Sequence, residues 1–120
     1  METTIVGRGK NDIDTPALLL EERILERNLR AMADFVAPLE CRLRPHAKTH
    51  KCSRIARRQL ELGAGGITCA KLGEAEAMAA AGIDDILIAN QVVGHPKVER
   101  AAELARRIKL TVAVDHAANI

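Results

Sequence analysis

Residues 66–90 read GITCAKLGEAEAMAAAGIDDILIAN, and the fold turns on how this stretch is parsed. Gly66–Ala70 is a short apolar run with a β-branched pair, the signature of a buried strand. Leu72–Ala81 is alanine-rich, with Leu72, Ala75, Met78 and Ala79 at helical spacing, and Gly82 stands where a helix stop is needed. Asp85–Asn90 is a second apolar run. A strand, a helix and a strand joined by short connections make a βαβ unit, and strands this uniformly apolar are covered on both faces, as in a parallel sheet.

The same alternation extends in both directions. Downstream, Pro96–Arg107 predicts a helix with proline in its first turn and Val98, Ala101, Ala105 and Ile108 on one face. Lys109–Asp115 predicts another strand. Upstream, Cys41–Ala47 is the least regular strand candidate, interrupted by Arg42, Arg44 and Pro45. Ser53–Leu62 follows it as a helix, with Ser53 as N-cap and Gly63 as stop. Four parallel strands result. Before them, Thr15–Leu20 predicts an extra strand. Glu21–Ala37 predicts a helix whose inward face carries Ile24, Leu25, Leu29, Met32 and Phe35 or Val36. Residues 1–13 are a loose polar lead-in, and residues 14–120 form one partial domain. The last residues, VAVDHAANI, hand a strand over to a new helix without room to complete it, so the chain reads as the front part of a longer protein or a truncated copy.

Composition leaves open whether the sheet stays flat or closes into a barrel. A dinucleotide fold needs a glycine-rich turn after its first strand. That slot holds RPHAKTHK, Arg44–Lys51, without a glycine, while the glycine-rich GAGG of residues 63–66 leads into a strand. In a (β/α)8 barrel, chemistry gathers at the C-terminal ends of the strands. Here those ends carry His46 and Lys48, Ala70 and Lys71, Asn90 and Gln91, and Asp115 and His116.

The 120 residues carry 18 Lys and Arg against 16 Asp and Glu, a net charge of +2, so the molecule as a whole does not call for a polyanionic partner. Phe35 is the single aromatic residue, which leaves an aliphatic core and no stacking platform for nucleic acid. No apolar run is long enough to span a bilayer, and the N-terminus has no hydrophobic secretory segment. Three cysteines, Cys41, Cys52 and Cys69, lack a scaffold-like spacing, and a cytoplasmic location with free thiols is the simplest expectation.

The local charge is another matter. Between Cys41 and Leu60 there are seven Lys and Arg and no Asp or Glu. A solvated helix face accounts for Arg54, Arg57 and Arg58. A metal site built on His46, His50 and Cys52 has no common zinc spacing, and two neighbouring lysines repel a cation. A lysine at the end of a buried strand fits covalent chemistry: an amine desolvated among other cations becomes nucleophilic and can form a Schiff base with pyridoxal phosphate. Lys48 fits that position. Lys51 is its rival, placed closer to the following helix.

DTPALLLEERILERNLRAM (Asp14–Met32), RPHAKTHK, GITCAKLGEAEAMAAAGIDDILIANQVVG (Gly66–Gly94) and VAVDHAANI together resemble the N-terminal barrel of the D-threonine aldolases. The relatives of that family include eukaryotic-type D-serine dehydratases and 3-hydroxy-D-aspartate aldolases. All are similar to the alanine racemase N-terminal domain, fold type III of the pyridoxal-phosphate enzymes. The resemblance implies the first part of a (β/α)8 barrel followed by a β-domain this chain does not contain. It implies that Lys48 carries pyridoxal 5'-phosphate, with His50 near the cofactor. Divalent metal ligands (for Mn, Mg or Zn) are implied in the missing C-terminal domain, none in this chain. The implied activity is a lyase acting on D-amino acids with a β-hydroxyl, most simply retro-aldol cleavage to glycine and an aldehyde, in a homodimer. A D-serine dehydratase, or a 3-hydroxy-D-aspartate aldolase or dehydratase, is the alternative, and a non-catalytic pyridoxal-phosphate binder or inactive fragment a further one.

Overall fold

The computed structural model describes residues 5–119. Helix α1 spans Glu22–Val36, α2 Ser53–Glu61, α3 Leu72–Ala80 and α4 His95–Ala105; strands β1, β2 and β3 span Ile67–Cys69, Asp85–Ile88 and Lys109–Val112. The strands form one parallel sheet in the order β1-β2-β3, with Cys69 opposite Ile88 and Ile88 opposite Val112. Each connection crosses over through a helix, as parallel pairing requires. The chain is thus an α/β unit of successive βα repeats.

The core lies where α3 and α4 cover the sheet. Ile67, Cys69, Ile83, Ile86, Ile88 and Leu104 are fully buried, joined by Leu72, Ala75 and Met78 from α3. The inward face expected for α3 is the one observed, with Ala79 partly buried at its margin. For α4 the buried stripe is Ala101, Leu104 and Ile108, whereas Val98 and Ala105 are exposed. The helix is rotated from the expected face because Leu104 offers more apolar area than either of them. β1 is buried along its whole length; β3 is covered on neither side to that degree, since no further strand pairs with it among the described residues.

Two expected strands do not form. Thr15–Leu20 has no ladder partner, and Leu18, Leu19 and Leu20 are exposed; an isolated extended run has nothing to satisfy its backbone. Cys41–Ala47 is reduced to a single parallel bridge between His46 and Thr68. It still lies along the edge of β1, with Gly65 N–H donating to the Leu43 carbonyl and Thr68 N–H to the Pro45 carbonyl, each at 2.8 Å. Pro45 has no N–H to return, which breaks the ladder there.

Helix α1 has the expected extent within a residue at each end but buries none of its side chains. Leu25, Leu29, Ala33 and Val36 are half-buried, while Ile24, Met32 and Phe35 are exposed, Phe35 by 69%. A cleft of about 440 Å³ separates its apolar stripe from Leu43, Pro45 and Leu62. The helix is tied to α2 chiefly by charge: Arg58 Nε donates to Glu26 Oε2 at 3.0 Å, and a second guanidinium nitrogen donates to the other oxygen. This pair, with Arg30 beside it, holds the Glu26 carboxyl at about 2. An unfolded glutamate titrates near pH 4.3. The folded value is the lower one, so the tie is fully present above about pH 4.3 and is lost as the pH falls through that value towards 2. Protection factors across residues 22–36, exchange taken relative to an unstructured peptide at the same pH, should therefore fall as the pH drops from about 5 towards 2, while those of 83–88 hold. An equal fall in both segments would show that Glu26 does not anchor the helix.

At the N-terminal end of the sheet, three successive elements are clasped. Arg44 Nη1 donates to Asp85 Oδ1 at 2.7 Å, Arg44 Nη2 to the Gly65 carbonyl at 3.4 Å, and Lys109 Nζ to Asp85 Oδ2 at 3.0 Å. Arg44 and Lys109 together hold the Asp85 carboxyl below its ordinary range. The arginine that spoiled the strand pattern of residues 41–47 thus closes this end.

Candidate cofactor-linking site at the C-terminal rim

Parallel register puts the expected rim residues at one end of the sheet. His46 is level with Thr68, Thr68 with Leu87, and Leu87 with Thr111. Lys48, Ala70, Asn90 and Asp115 all lie beyond that row. Asn90 Nδ2 donates to the Ala70 carbonyl at 3.5 Å, joining two strand ends, and Asp115 Oδ1 accepts from Asn119 Nδ2 at 2.9 Å. Lys71, Gln91 and His116 are exposed beside them.

RPHAKTHK becomes a tight turn. Ala47–Thr49 is one turn of 3₁₀ helix, with Ala47 buried and Lys48 exposed. His46 Nδ1 accepts from the Lys48 N–H at 3.3 Å, the Thr49 hydroxyl donates to the His46 carbonyl at 3.1 Å, and Lys51 N–H donates to the Ala47 carbonyl at 2.7 Å. Lys51 closes the turn at φ +48°, in the left-handed region that only a few per cent of non-glycine residues adopt. His50 Nδ1 then accepts the Cys52 N–H at 3.1 Å.

The two histidines therefore act as local caps, each taking a backbone N–H two residues on. That explains why they flank Lys48 at a spacing useless for zinc. His50 is the more enclosed. Burial lowers its pKa, opposed by Gln59, so the ring is neutral at pH 7. Its Nε2 and the Gln59 Oε1 are both buried and lie outside hydrogen-bonding geometry. Ser53, expected as N-cap of α2, is its first helical residue instead. Cys52 occupies the cap position, and no side chain caps the helix.

Lys48 Nζ has no hydrogen bond or ion pair among the described residues, whereas Lys51 faces Glu74 and Lys109 is held by Asp85. The desolvation expected of this amine is not observed, because Lys48 lies on the exposed side of a 3₁₀ turn rather than at the end of a buried strand; what fits pyridoxal phosphate as a covalent partner is an amine, on a turn anchored by the buried Ala47, that can reach an aldehyde without first breaking a salt bridge. Cys69, the last residue of β1, does not compete as a nucleophile: it is fully buried, and burial, with the charge of Glu74, pushes its thiol up to about 11. Among the described residues no three His, Cys, Asp or Glu side chains converge as a metal would require, and no helix is long and apolar enough to cross a membrane.

Residues 21–120 match the family described as alanine racemase, N-terminal domain. The chain belongs to that family. It is 51% identical over 108 residues to a D-threonine aldolase from Arthrobacter sp, an alignment covering 90% of this chain and 28% of that protein. Its structure superposes on a crystal structure of D-threonine aldolase from Filomicrobium marinum with a TM-score of 0.88 at 52% identity, covering 90% of this chain and 29% of the other. D-threo-3-hydroxyaspartate dehydratase from Delftia sp. HT23 follows at a TM-score of 0.83 and 38% identity, covering 90% and 28%. The family chain described here spans under a third of the length of these relatives.

Sequence reasoning singled out Lys48 and the rim but gave Glu74 no role. It lies on the first turn of α3, and in the sequence it is one of two glutamates in an alanine-rich helix with nothing to set it apart from its neighbour Glu76. Glu76 pairs with Arg100 on α4; only the fold separates their roles.

Proposed function

We propose that a protein of the relatives' full length carrying these 120 residues is a pyridoxal-phosphate-dependent lyase for D-amino acids with a β-hydroxyl, of the D-threonine aldolase type. The observation that carries this reading is the unpaired Lys48 amine on the rim turn. It occurs in a chain 51% identical over 90% of its length to a D-threonine aldolase. In that protein the sheet closes into a (β/α)8 barrel, its next strand pairing with β3. A following domain supplies ligands for a divalent metal, and the enzyme is a cytoplasmic homodimer.

In this chain Lys48 would hold the cofactor, and His50 supports the site through its Nδ1, which caps the Cys52 N–H and fixes the turn. Bound there, pyridoxal phosphate supplies an electron sink for the pair left on Cα when a bond to that carbon breaks. Lys48 would hold the cofactor covalently, and its amine, when not so engaged, would be a base at the rim able to carry a proton to or from Cα. Asn90 and Asp115 border the same rim and are placed to bind the polar parts of a small amino acid.

The likeness to the Delftia dehydratase favours a second reading, loss of the β-hydroxyl as water. Two measurements decide. Borohydride reduction with pyridoxal phosphate, followed by peptide mapping, should mark Lys48 among the six lysines. D-threonine should then yield glycine and acetaldehyde. A 2-oxo acid and ammonia from D-threonine, D-serine or 3-hydroxy-D-aspartate would establish the dehydratase, and labelling without turnover a non-catalytic binder. A mark on another lysine would remove the basis of all three.

A further inference from the structure

We propose that Glu74 is the positioning residue that fixes the Lys48 turn against the end of β1. The inference rests on Lys48 as the cofactor lysine. Glu74 stands on the first turn of α3, with its side chain only 13% exposed. Its Oε2 accepts the Ala70 N–H at 2.8 Å, reaching back past the helix start to the residue that leaves β1. Its Oε1 faces Lys51 Nζ at 3.9 Å. One carboxylate thus touches two consecutive βα connections, the one after residues 41–46 and the one after β1. It also lies among the rim cations Lys48, Lys51 and Lys71, with Asp115 as a second carboxylate at that rim.

Lys51 is the residue that closes the turn in a left-handed conformation. A β-carbon there is disfavoured by roughly 1–2 kcal/mol relative to the right-handed region. The Lys51 N–H bond to the Ala47 carbonyl closes the turn from the backbone, and Glu74 adds the side-chain partner. The ion pair by itself is weak, because Lys51 Nζ is largely solvated. The Ala70 bond is better placed: it is part-buried, short and charge-assisted. Through it the carboxylate is held still, and the turn three residues beyond Lys48 meets a fixed charge rather than water. Glu74 touches neither Lys48 nor any reacting atom; it acts through the shape of residues 47–51.

The test uses the full-length enzyme with Glu74→Ala, Glu74→Gln and Lys51→Met. Glutamine keeps an oxygen for Ala70 but loses the charge facing Lys51; methionine removes the other end of the pair. Amide exchange of the peptide covering residues 46–52 should rise about tenfold in Glu74→Ala. It should rise by a smaller and mutually similar factor in Glu74→Gln and Lys51→Met, and the double variant Glu74→Gln/Lys51→Met should be no worse than either single one. Association of pyridoxal phosphate, followed by absorbance, should slow in the same order, while borohydride still marks Lys48 in every variant. Unchanged exchange and unchanged cofactor association in Glu74→Gln and Lys51→Met would overturn the proposal. Should Glu74→Ala fail to fold, those two variants still decide it. A borohydride mark on a lysine other than Lys48 would refute the underlying site instead, a different outcome in the same experiment.

Discussion

Lys48→Ala should abolish the yellow absorbance of the lysine-held cofactor and lower lyase turnover by at least about 10²–10⁴-fold, the range typical for removing a positioned acid–base group. The loss has two sources. The covalent hold on the cofactor would disappear, and so would the amine able to move a proton at the rim. Lys48→Arg should be equally inactive, because a guanidinium keeps the charge but cannot lose its proton to become a nucleophile. The fold should be untouched in both variants, since the Lys48 side chain is exposed and unpaired while the anchoring Ala47 is retained. Thermal midpoints within a degree or two of the parent would confirm this. A Lys48→Ala enzyme that still binds pyridoxal phosphate covalently and still splits D-threonine would disprove the assignment.

Gly66→Ala should destabilise the fold by about 3–5 kcal/mol, summing strain at a glycine-only conformation and the loss of a part-buried charged pair. Gly66 sits at φ +147°, and a β-carbon there would stand 2.1 Å from Arg44 Nη1 and 2.8 Å from the Asp85 carbonyl oxygen. The guanidinium could swing aside, but only by giving up Asp85; the carbonyl belongs to β2 and cannot yield without moving the strand. Gly63→Ala is the control. Its φ of +99° is also left-handed, yet nothing lies within 4 Å of the new methyl group. It should lose only the conformational part, roughly 1–2 kcal/mol. Denaturant midpoints measure both. Equal losses in the two variants would mean that the Arg44–Asp85–Lys109 clasp contributes nothing beyond backbone strain.

These two residues mark what could be read from the chain alone. The apolar runs at residues 67–69 and 85–88 and the helical spacing of Leu72, Ala75 and Met78 are local signals, and the fold reproduces them. Lys48 was legible because a strand end, a run of cations and a recognisable motif coincide there. Gly66 was visible only as one of several glycines, and Arg44 as an irregularity in a strand. Thr15–Leu20 and Cys41–Ala47 have the composition of strands, yet a strand exists only where a second backbone meets it, and neither has a full ladder to join.

Sequence by itself determined the order of the βα units, the aliphatic character of the core and the position of the amine, because each follows from residue type and spacing along the chain. Tertiary structure decided which charges meet: Arg44 with Asp85, Arg58 with Glu26, Glu74 with Ala70 and Lys51. Those partners lie between 4 and 41 residues apart. The reason is physical: periodicity records the face a side chain turns to its own element, whereas an ion pair depends on how elements are set side by side, by strand register for Arg44 and Asp85 and by the docking of helices and turns for the others.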